Sequence, residues 1–260
     1  MPEKLIIKQA RPIAREPFSR SPVSIIIPFH GCYEKVGKLV SSIMRVTRSN
    51  PYQICLVDDY SPNSSFINAI KDLPQVFALR TEKRLGFGGA LEFGFKATQQ
   101  PWVVFMHSDC VVEDPRWLVE MGRTLLKLKE NNVKMVSART NNPGEGCELL
   151  KSKREEIKED IILKEGFLPL YCSMCHRELF SHIGGFIKNY PLCHYEDEEL
   201  AYRMRHYGFF QAACGKSWVR HEGGATINNL CKINPSLIEE LEKNRDLCVE
   251  DIRKLNKNHR

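Results

Sequence analysis

A repeated unit constrains this chain more than any other feature: a short apolar run, then polar residues, then a stretch with helical spacing. Val23-Ser-Ile-Ile-Ile27, closed by Pro28, reads as a buried strand, because strands covered on both faces lose the apolar–polar alternation of half-exposed ones. Val36, Leu39, Val40, Ile43 and Val46 then recur at helical spacing. Residues 54–57 (Ile-Cys-Leu-Val) form a second buried run that ends in Asp58 and Asp59, and a Ser-Pro-Asn-Ser turn opens the next helix. Residues 76–79, 102–106 and 135–138 read as further strands, with helices predicted over 86–97 and 115–130. Such alternation predicts an α/β domain with a mainly parallel central sheet flanked by helices. In these sheets ligands bind beyond the carboxyl ends of the strands. His30, Asp58 with Asp59, and Asp109 all stand just past predicted strand ends, so that edge is the expected site.

Composition sets the outer limits. At 260 residues and 42% hydrophobic content, the chain has material for one sizeable core. Residues 1–21 are polar and proline-punctuated and are expected to be an arm; 22–230 are expected to form the domain. Within it, residues 141–166 are rich in Asn, Gly, Lys and Glu, and are expected to be a mobile loop carrying a charged helix over 151–160. Residues 231–260 form an amphipathic C-terminal helical tail, expected to pack on the domain, with homodimer contact and peripheral membrane contact as its other uses. No run approaches the roughly 18–20 apolar residues that span a bilayer. The N-terminus also lacks an apolar core of signal-peptide length, so no transmembrane segment and a cytoplasmic location are expected. The net charge of +6 suits phosphate-bearing substrates or an anionic surface without indicating nucleic acid, which is not an expected partner. Ten scattered cysteines are expected to be free, mostly buried thiols. Cys172-x-x-Cys175 with His176, joined by Cys193 and His194, is weighed as a zinc site against core packing, and core packing is retained.

Across residues 22–227 a succession of motifs appears: Val-Ser-Ile-Ile-Ile-Pro-Phe-His (23–30), Leu-Val-Asp-Asp-Tyr-Ser (56–61), Gly-Phe-Gly-Gly-Ala (86–90) and His-Ser-Asp (107–109). Gly-Gly-Phe (184–186), Tyr-Glu-Asp-Glu-Glu-Leu-Ala-Tyr-Arg (195–203) and His-Glu-Gly-Gly-Ala-Thr (221–226) follow. Each is weak alone, but in this order they resemble the inverting family 2 glycosyltransferases of the GT-A fold. The resemblance implies a nucleotide-sugar donor, with UDP- or dTDP-sugars favoured, and a carbohydrate, glycolipid or glycoprotein acceptor. It implies that Asp109 and His221 are metal ligands, for Mn²⁺ or Mg²⁺, since a departing diphosphate needs its charge stabilised. It places Pro28, Phe29, His30, Asp59, Arg84, Gly86, Ser108 and Asp109 at the donor nucleotide. It makes Asp197 the general base that takes the acceptor hydroxyl's proton, with Glu196 orienting acceptor or base. His107 stands where the family usually has Asp or Asn, a departure that bears on metal choice and dependence.

Other classes fit less well. A non-catalytic nucleotide-sugar-binding or scaffold protein of the same fold draws its support from His107. The glycines at 86, 88, 89 and 94 do not spell a dinucleotide-binding turn, because Leu91 stands where the third glycine is required and the segment does not follow the first strand. A nucleotidyltransferase would need a glycine- and lysine-rich signature near the first strand, and Phe29-His30-Gly31 does not supply it.

Overall fold

A computed structural model describes residues 4–6, 18, 21–48, 50–70, 73–144, 146–186, 190, 192–223 and 237–257. The strands are β1 (Lys4–Ile6), β2 (Val23–Phe29), β3 (Tyr52–Asp58), β4 (Val76–Arg80), β5 (Trp102–Met106), β6 (Cys110–Val111), β7 (Val133–Arg139), β8 (Ile161–Leu163), β9 (Cys172–His176), β10 (Phe210–Trp218) and β11 (Arg220–His221). The helices are α1 (Tyr33–Val46), α2 (Ser65–Ile70), α3 (Gly86–Ala97), α4 (Trp117–Lys127), α5 (Glu178–Ile183), α6 (Glu196–His206) and α7 (Leu237–Lys257).

Nine strands form one sheet in the order β1-β8-β10-β7-β9-β5-β2-β3-β4, while β6 and β11 form a separate ribbon. The pairings of β2, β3, β4 and β5 are parallel, as is that of β7 with β10. Only β8 and β9 run against the rest, each paired antiparallel to its neighbours. The mainly parallel sheet therefore has a reversed strand, β9, seated between β5 and β7. Its sequence, Cys-Ser-Met-Cys-His, carries no β-branched residue and gives a weak strand signal.

The continuous apolar runs have a direct packing cause. Along β2, Ile25 and Ile27 join one core layer with Leu39 and Ile43 of α1 and Trp117 and Met121 of α4. Ile26 points the other way, into a layer with Leu91 of α3, Phe180 of α5 and Leu200 and Met204 of α6. A strand buried on both faces cannot alternate. The same period separates Cys172 from Cys175: they fall in opposite core layers, both fully buried, and so cannot share a zinc ion. The described cysteines are free thiols.

Gly94 lets α3 lie close on the sheet; a Cβ there would stand 2.7 Å from Ile26 Cγ2 and 2.8 Å from Val57 Cγ2.

The charged helix expected over 151–160 does not form. That segment has a bridge at Lys151 and a turn at 154–155 and otherwise no regular secondary structure, and it is clasped to the sheet edge. Arg139 donates to the carbonyls of Leu149 (2.5 Å) and Glu159 (2.9 Å), and Lys158 N–H donates to Gly215 O (3.0 Å). Asp160, at its end, accepts from Gly215 N and Lys127 Nζ. These backbone and side-chain partners on the sheet outcompete the helical propensity of an isolated Lys/Glu run. From the expected N-terminal arm, Lys4–Ile6 pairs with β8 as an edge strand, and Phe18 packs edge-on against Trp102. The C-terminal helix α7 packs against α6. Among the described residues, no helix is long and apolar enough to cross a membrane.

Candidate active site

A cavity of about 530 Å³ opens beyond the carboxyl ends of β2, β3 and β5, walled on its far side by the start of α6. Of the residues expected in the site, all but Gly86 border it. Gly86 stands behind the wall, with its N–H donated to Asp59 Oδ2 at 2.9 Å.

The ribbon of β6 and β11 builds one corner. Its register pairs His221 with Cys110, beside Asp109, and Glu222 N–H donates to Asp109 O. His221 Nε2 lies 3.3 Å from Asp109 Oδ1 and 3.3 Å from His107 Nδ1. One donor atom from each of the three lies within 4.8 Å of the others. The far ring nitrogen, His221 Nδ1, faces the carbonyl of Asn142 at 2.8 Å. A carbonyl can only accept, so Nδ1 carries a proton, and Nε2 is the ring nitrogen that faces the corner. Asn141 clamps the same residue through its backbone, accepting from His221 N–H (3.0 Å) and donating to His221 O (3.1 Å). Tyr171 stacks on the ring at 5.0 Å. Burial and the neighbouring His221 lower the His107 imidazole to about 4, so it is neutral near pH 7. Gly224 to Thr226 of the last motif lie outside the described residues.

The two neighbouring aspartates part ways. Asp58 is fully buried and pairs with Arg80, so it belongs to the scaffold. Asp59 borders the cavity, and its oxygens accept the N–H groups of Leu85 (2.7 Å) and Gly86 (2.9 Å), fixing the turn that opens α3. His30 Nδ1 donates to Asp59 O at 2.7 Å. Arg84 borders the cavity with a buried Nε that has no hydrogen-bond partner among the described residues.

Glu196 and Asp197 occupy the first turn of α6. Burial raises Asp197 to about 6, against hydrogen bonds from backbone N–H groups that include Leu170's. Glu196 is 6% exposed, and its Oε2 has no hydrogen-bond partner among the described residues. Burial and the adjoining Asp197 push its carboxyl well above the usual range, toward the protonated form. Glu199 instead pairs with Arg203, whose NH1 reaches the carbonyls of Ile183 and Gly185 at 2.5 Å. This pair ties the Gly184-Gly185 turn to α6 and has no place in the cavity.

The acidic groups Asp59, Asp109, Glu196, Asp197 and Glu198 border the cavity, with Arg84 as the lysine-or-arginine counterweight among the described residues. Phe87, Phe167, Pro169 and Leu192 supply an apolar wall. Sequence reasoning missed His107 as part of the donor cluster, and Asn141, Asn142 and Tyr171 as its supports. Their only signal was position: a histidine two residues before Asp109, and an Asn pair just after a predicted strand.

Comparison with known proteins agrees with this architecture. The profile described as "Glycosyl transferase family 2" matches residues 24–184. Similar solved structures include GalNAc-T7 with UDP, GalNAc and Mn²⁺ (TM-score 0.62, 17% identity, covering 77% of this chain and 44% of that one). A mannosyltransferase from Pyrobaculum calidifontis in complex with GDP-Man and Mn²⁺ gives a TM-score of 0.63 at 16% identity, covering 84% of this chain and 61% of that one. S. aureus TarS 1–349 in complex with UDP-GlcNAc gives 0.57 at 13% identity, covering 80% and 60%. The chain thus spans between 44% and 61% of the length of these structures, which at such identities inform on the fold. No curated protein sequence matches the chain. With its profile match covering more than half of the chain, the protein belongs to glycosyl transferase family 2 and has the GT-A fold.

Proposed function

We propose that the chain is an inverting, metal-assisted glycosyltransferase that moves a sugar from a UDP- or dTDP-sugar to a hydroxyl of a carbohydrate, glycolipid or glycoprotein acceptor. The observation that carries this reading is the meeting, on one cavity, of the His107–Asp109–His221 cluster with the carboxylates at the start of α6.

The donor cluster fits a divalent cation. Two imidazoles and a carboxylate each bring a ligand atom to one corner, and further acidic groups border the surrounding cavity. A nucleoside diphosphate entering it brings further negative charge, which needs a cation between. Imidazole nitrogen is softer than the all-oxygen set that suits Mg²⁺, so the cluster favours Mn²⁺. The Mn²⁺ named for two similar structures supports that choice. When bound, the cation neutralises the charge that develops on the departing diphosphate. His107 belongs to this donor set, which removes the feature that favoured a non-catalytic binding protein.

The chain's own residues supply the rest. Asp59, with lone pairs left beyond its two backbone bonds, accepts the imide N–H of uracil or thymine. Arg84 turns its unpartnered Nε–H to the nucleotide. Asp197 takes the proton of the acceptor hydroxyl as that oxygen bonds to the anomeric carbon. The bond from that carbon to the diphosphate oxygen breaks on the opposite face, and the electron pair leaves with the diphosphate, giving inversion. A base ionised near neutrality suits this role. Glu196, whose carboxyl burial shifts toward the protonated form, positions the acceptor.

The reading is tested by melting the full chain with UDP, dTDP and GDP, each with and without Mn²⁺, and then assaying sugar-donor turnover. A native-state ligand at about 100 times its Kd adds about 2.7 kcal/mol of stability. The expected result is a shift with UDP or dTDP that requires Mn²⁺. No shift with any nucleotide, with or without metal, contradicts it.

A further inference from the structure

The segment that leads into the proposed base is held in an unusual backbone. Leu192 (φ 63°), His194 (φ 77°) and Tyr195 (φ 72°) all lie in the left-handed region, and none is glycine. Side chains with a Cβ are disfavoured there, so such backbone persists only where its surroundings over-determine it. Leu192 through Asp197 border the cavity, so the segment forms part of its wall.

Two elements hold it. From α3, Phe87 N–H donates to Leu192 O at 2.6 Å. Gly86 makes room, since a Cβ there would stand 2.9 Å from Leu192 O and 3.0 Å from Tyr190 O. From the other side comes α7, which lies beyond the region matched by the family profile. Asn244, fully buried, donates its Nδ2–H to Cys193 O at 2.8 Å. Tyr190, also buried, donates its O–H to Asp251 Oδ2 at 3.2 Å. Asn244 and Asp251 stand two helical turns apart, on one stripe of α7. A third link, Tyr202 O–H to Asn256 Oδ1 at 2.9 Å, ties α7 to α6 without touching the segment.

We propose that α7 is a positioning element of the active site: Asn244, at Cys193, and Asp251, at Tyr190, hold the strap that carries the left-handed residues Leu192, His194 and Tyr195 and so set where Glu196 and Asp197 stand. Neither residue touches the cavity, and each acts through the strap. The proposal rests on the reading of Asp197 as base for its catalytic consequence, but not for the strap itself. A helix that served only to cover apolar surface would need neither a buried amide aimed at a loop carbonyl nor a second polar tether on the same stripe.

The test uses the full chain. Asn244→Asp keeps the shape and replaces the donor with a carboxylate facing Cys193 O. Hydrogen exchange of the amides at 192–195 should quicken by about tenfold or more, as expected when a local tether is lost without global unfolding. Turnover of the sugar donor should fall by about tenfold or more through kcat, while UDP affinity with Mn²⁺ and donor KM stay within about twofold. Tyr202→Phe, which cuts only the link between α6 and α7, should leave exchange at the strap and kcat unchanged. Should Asn244→Asp fail to fold, Tyr190→Phe breaks the second tether and carries the same expectation. Wild-type exchange at the strap in the tether variants overturns the proposal, as does an equal loss of kcat in Tyr202→Phe. If the wild-type chain turns over no donor, the transferase reading fails, and strap exchange alone decides the role of α7.

Discussion

His107 Nδ1 stands 3.3 Å from His221 Nε2, across 114 positions of sequence. The ribbon of β6 and β11 creates this meeting, and Asp109 Oδ1 completes it at 3.3 Å from the same nitrogen. If the cluster holds a cation, each imidazole contributes a bond that alanine cannot replace. His107→Ala should weaken Mn²⁺-dependent UDP binding by more than about tenfold, read by calorimetric titration of Mn²⁺ at fixed UDP. Equal Mn²⁺ dependence in the variant and the wild type would remove His107 from the donor set.

Asp197 predicts a pH profile. Burial lifts its carboxyl to about 6, whereas an unperturbed Asp titrates at about 3.9. A general base works only when ionised, so donor turnover should rise with pH through about 6 and then level. Stability runs the other way. The folded pKa exceeds the unfolded one, so the folded state binds the proton more tightly, and this contribution falls as pH climbs from about 4 to about 6. Asp197→Asn should therefore melt higher than wild type above pH 6, by an amount that shrinks towards pH 4. Thermal melts across that range measure it, and a stability difference that stays flat with pH would contradict the raised value.

Glu196 separates a hydrogen-bond donor from a base. Burial and the adjoining Asp197 shift its carboxyl well upward, toward the protonated, donating form, and a glutamine amide also donates. Glu196→Gln should retain turnover within about tenfold of wild type, whereas Glu196→Ala, which leaves no donor, should lose about tenfold or more. Steady-state kinetics on both variants decide it. A loss in Glu196→Gln as deep as in Asp197→Asn would show that the Glu196 negative charge is what matters.

Much of the fold was legible because burial on both faces writes itself into sequence as continuous, mainly apolar runs, as at β2 and β3. The strand β9 was not, since Cys-Ser-Met-Cys-His has neither alternation nor β-branching, and its placement between β5 and β7 depends on long-range pairing. The non-helical course of 151–160 was hidden for a similar reason: its partners, Arg139 and Gly215, lie far from it in sequence. In the site, Asp109, Asp197 and His221 could be found from motifs. His107 read as a departure, and only the approach of His221 places it in a cluster of ligand atoms. Asp58 and Asp59, identical in sequence signal, differ because the pleat turns one into Arg80 and the other toward the cavity.

Gly94 tests the close approach of α3 to the sheet. A Cβ there would come within 2.7 Å of Ile26 Cγ2 and 2.8 Å of Val57 Cγ2, both held on strands. Gly94→Val should destabilise the fold by about 1–3 kcal/mol, the usual range for overpacking, read as a lower urea midpoint at unchanged slope. An unchanged midpoint would mean that α3 can lift off the sheet freely.

The most direct test of the central claim takes Asp197→Asn and wild type side by side, measuring UDP–Mn²⁺ affinity and sugar-donor turnover on the same preparations. General-base catalysis contributes about 10²- to 10⁴-fold, so the variant should bind the nucleotide as tightly as wild type and lose at least about a hundredfold in turnover. Undiminished turnover in Asp197→Asn would show that the carboxylate at the start of α6 is not the base.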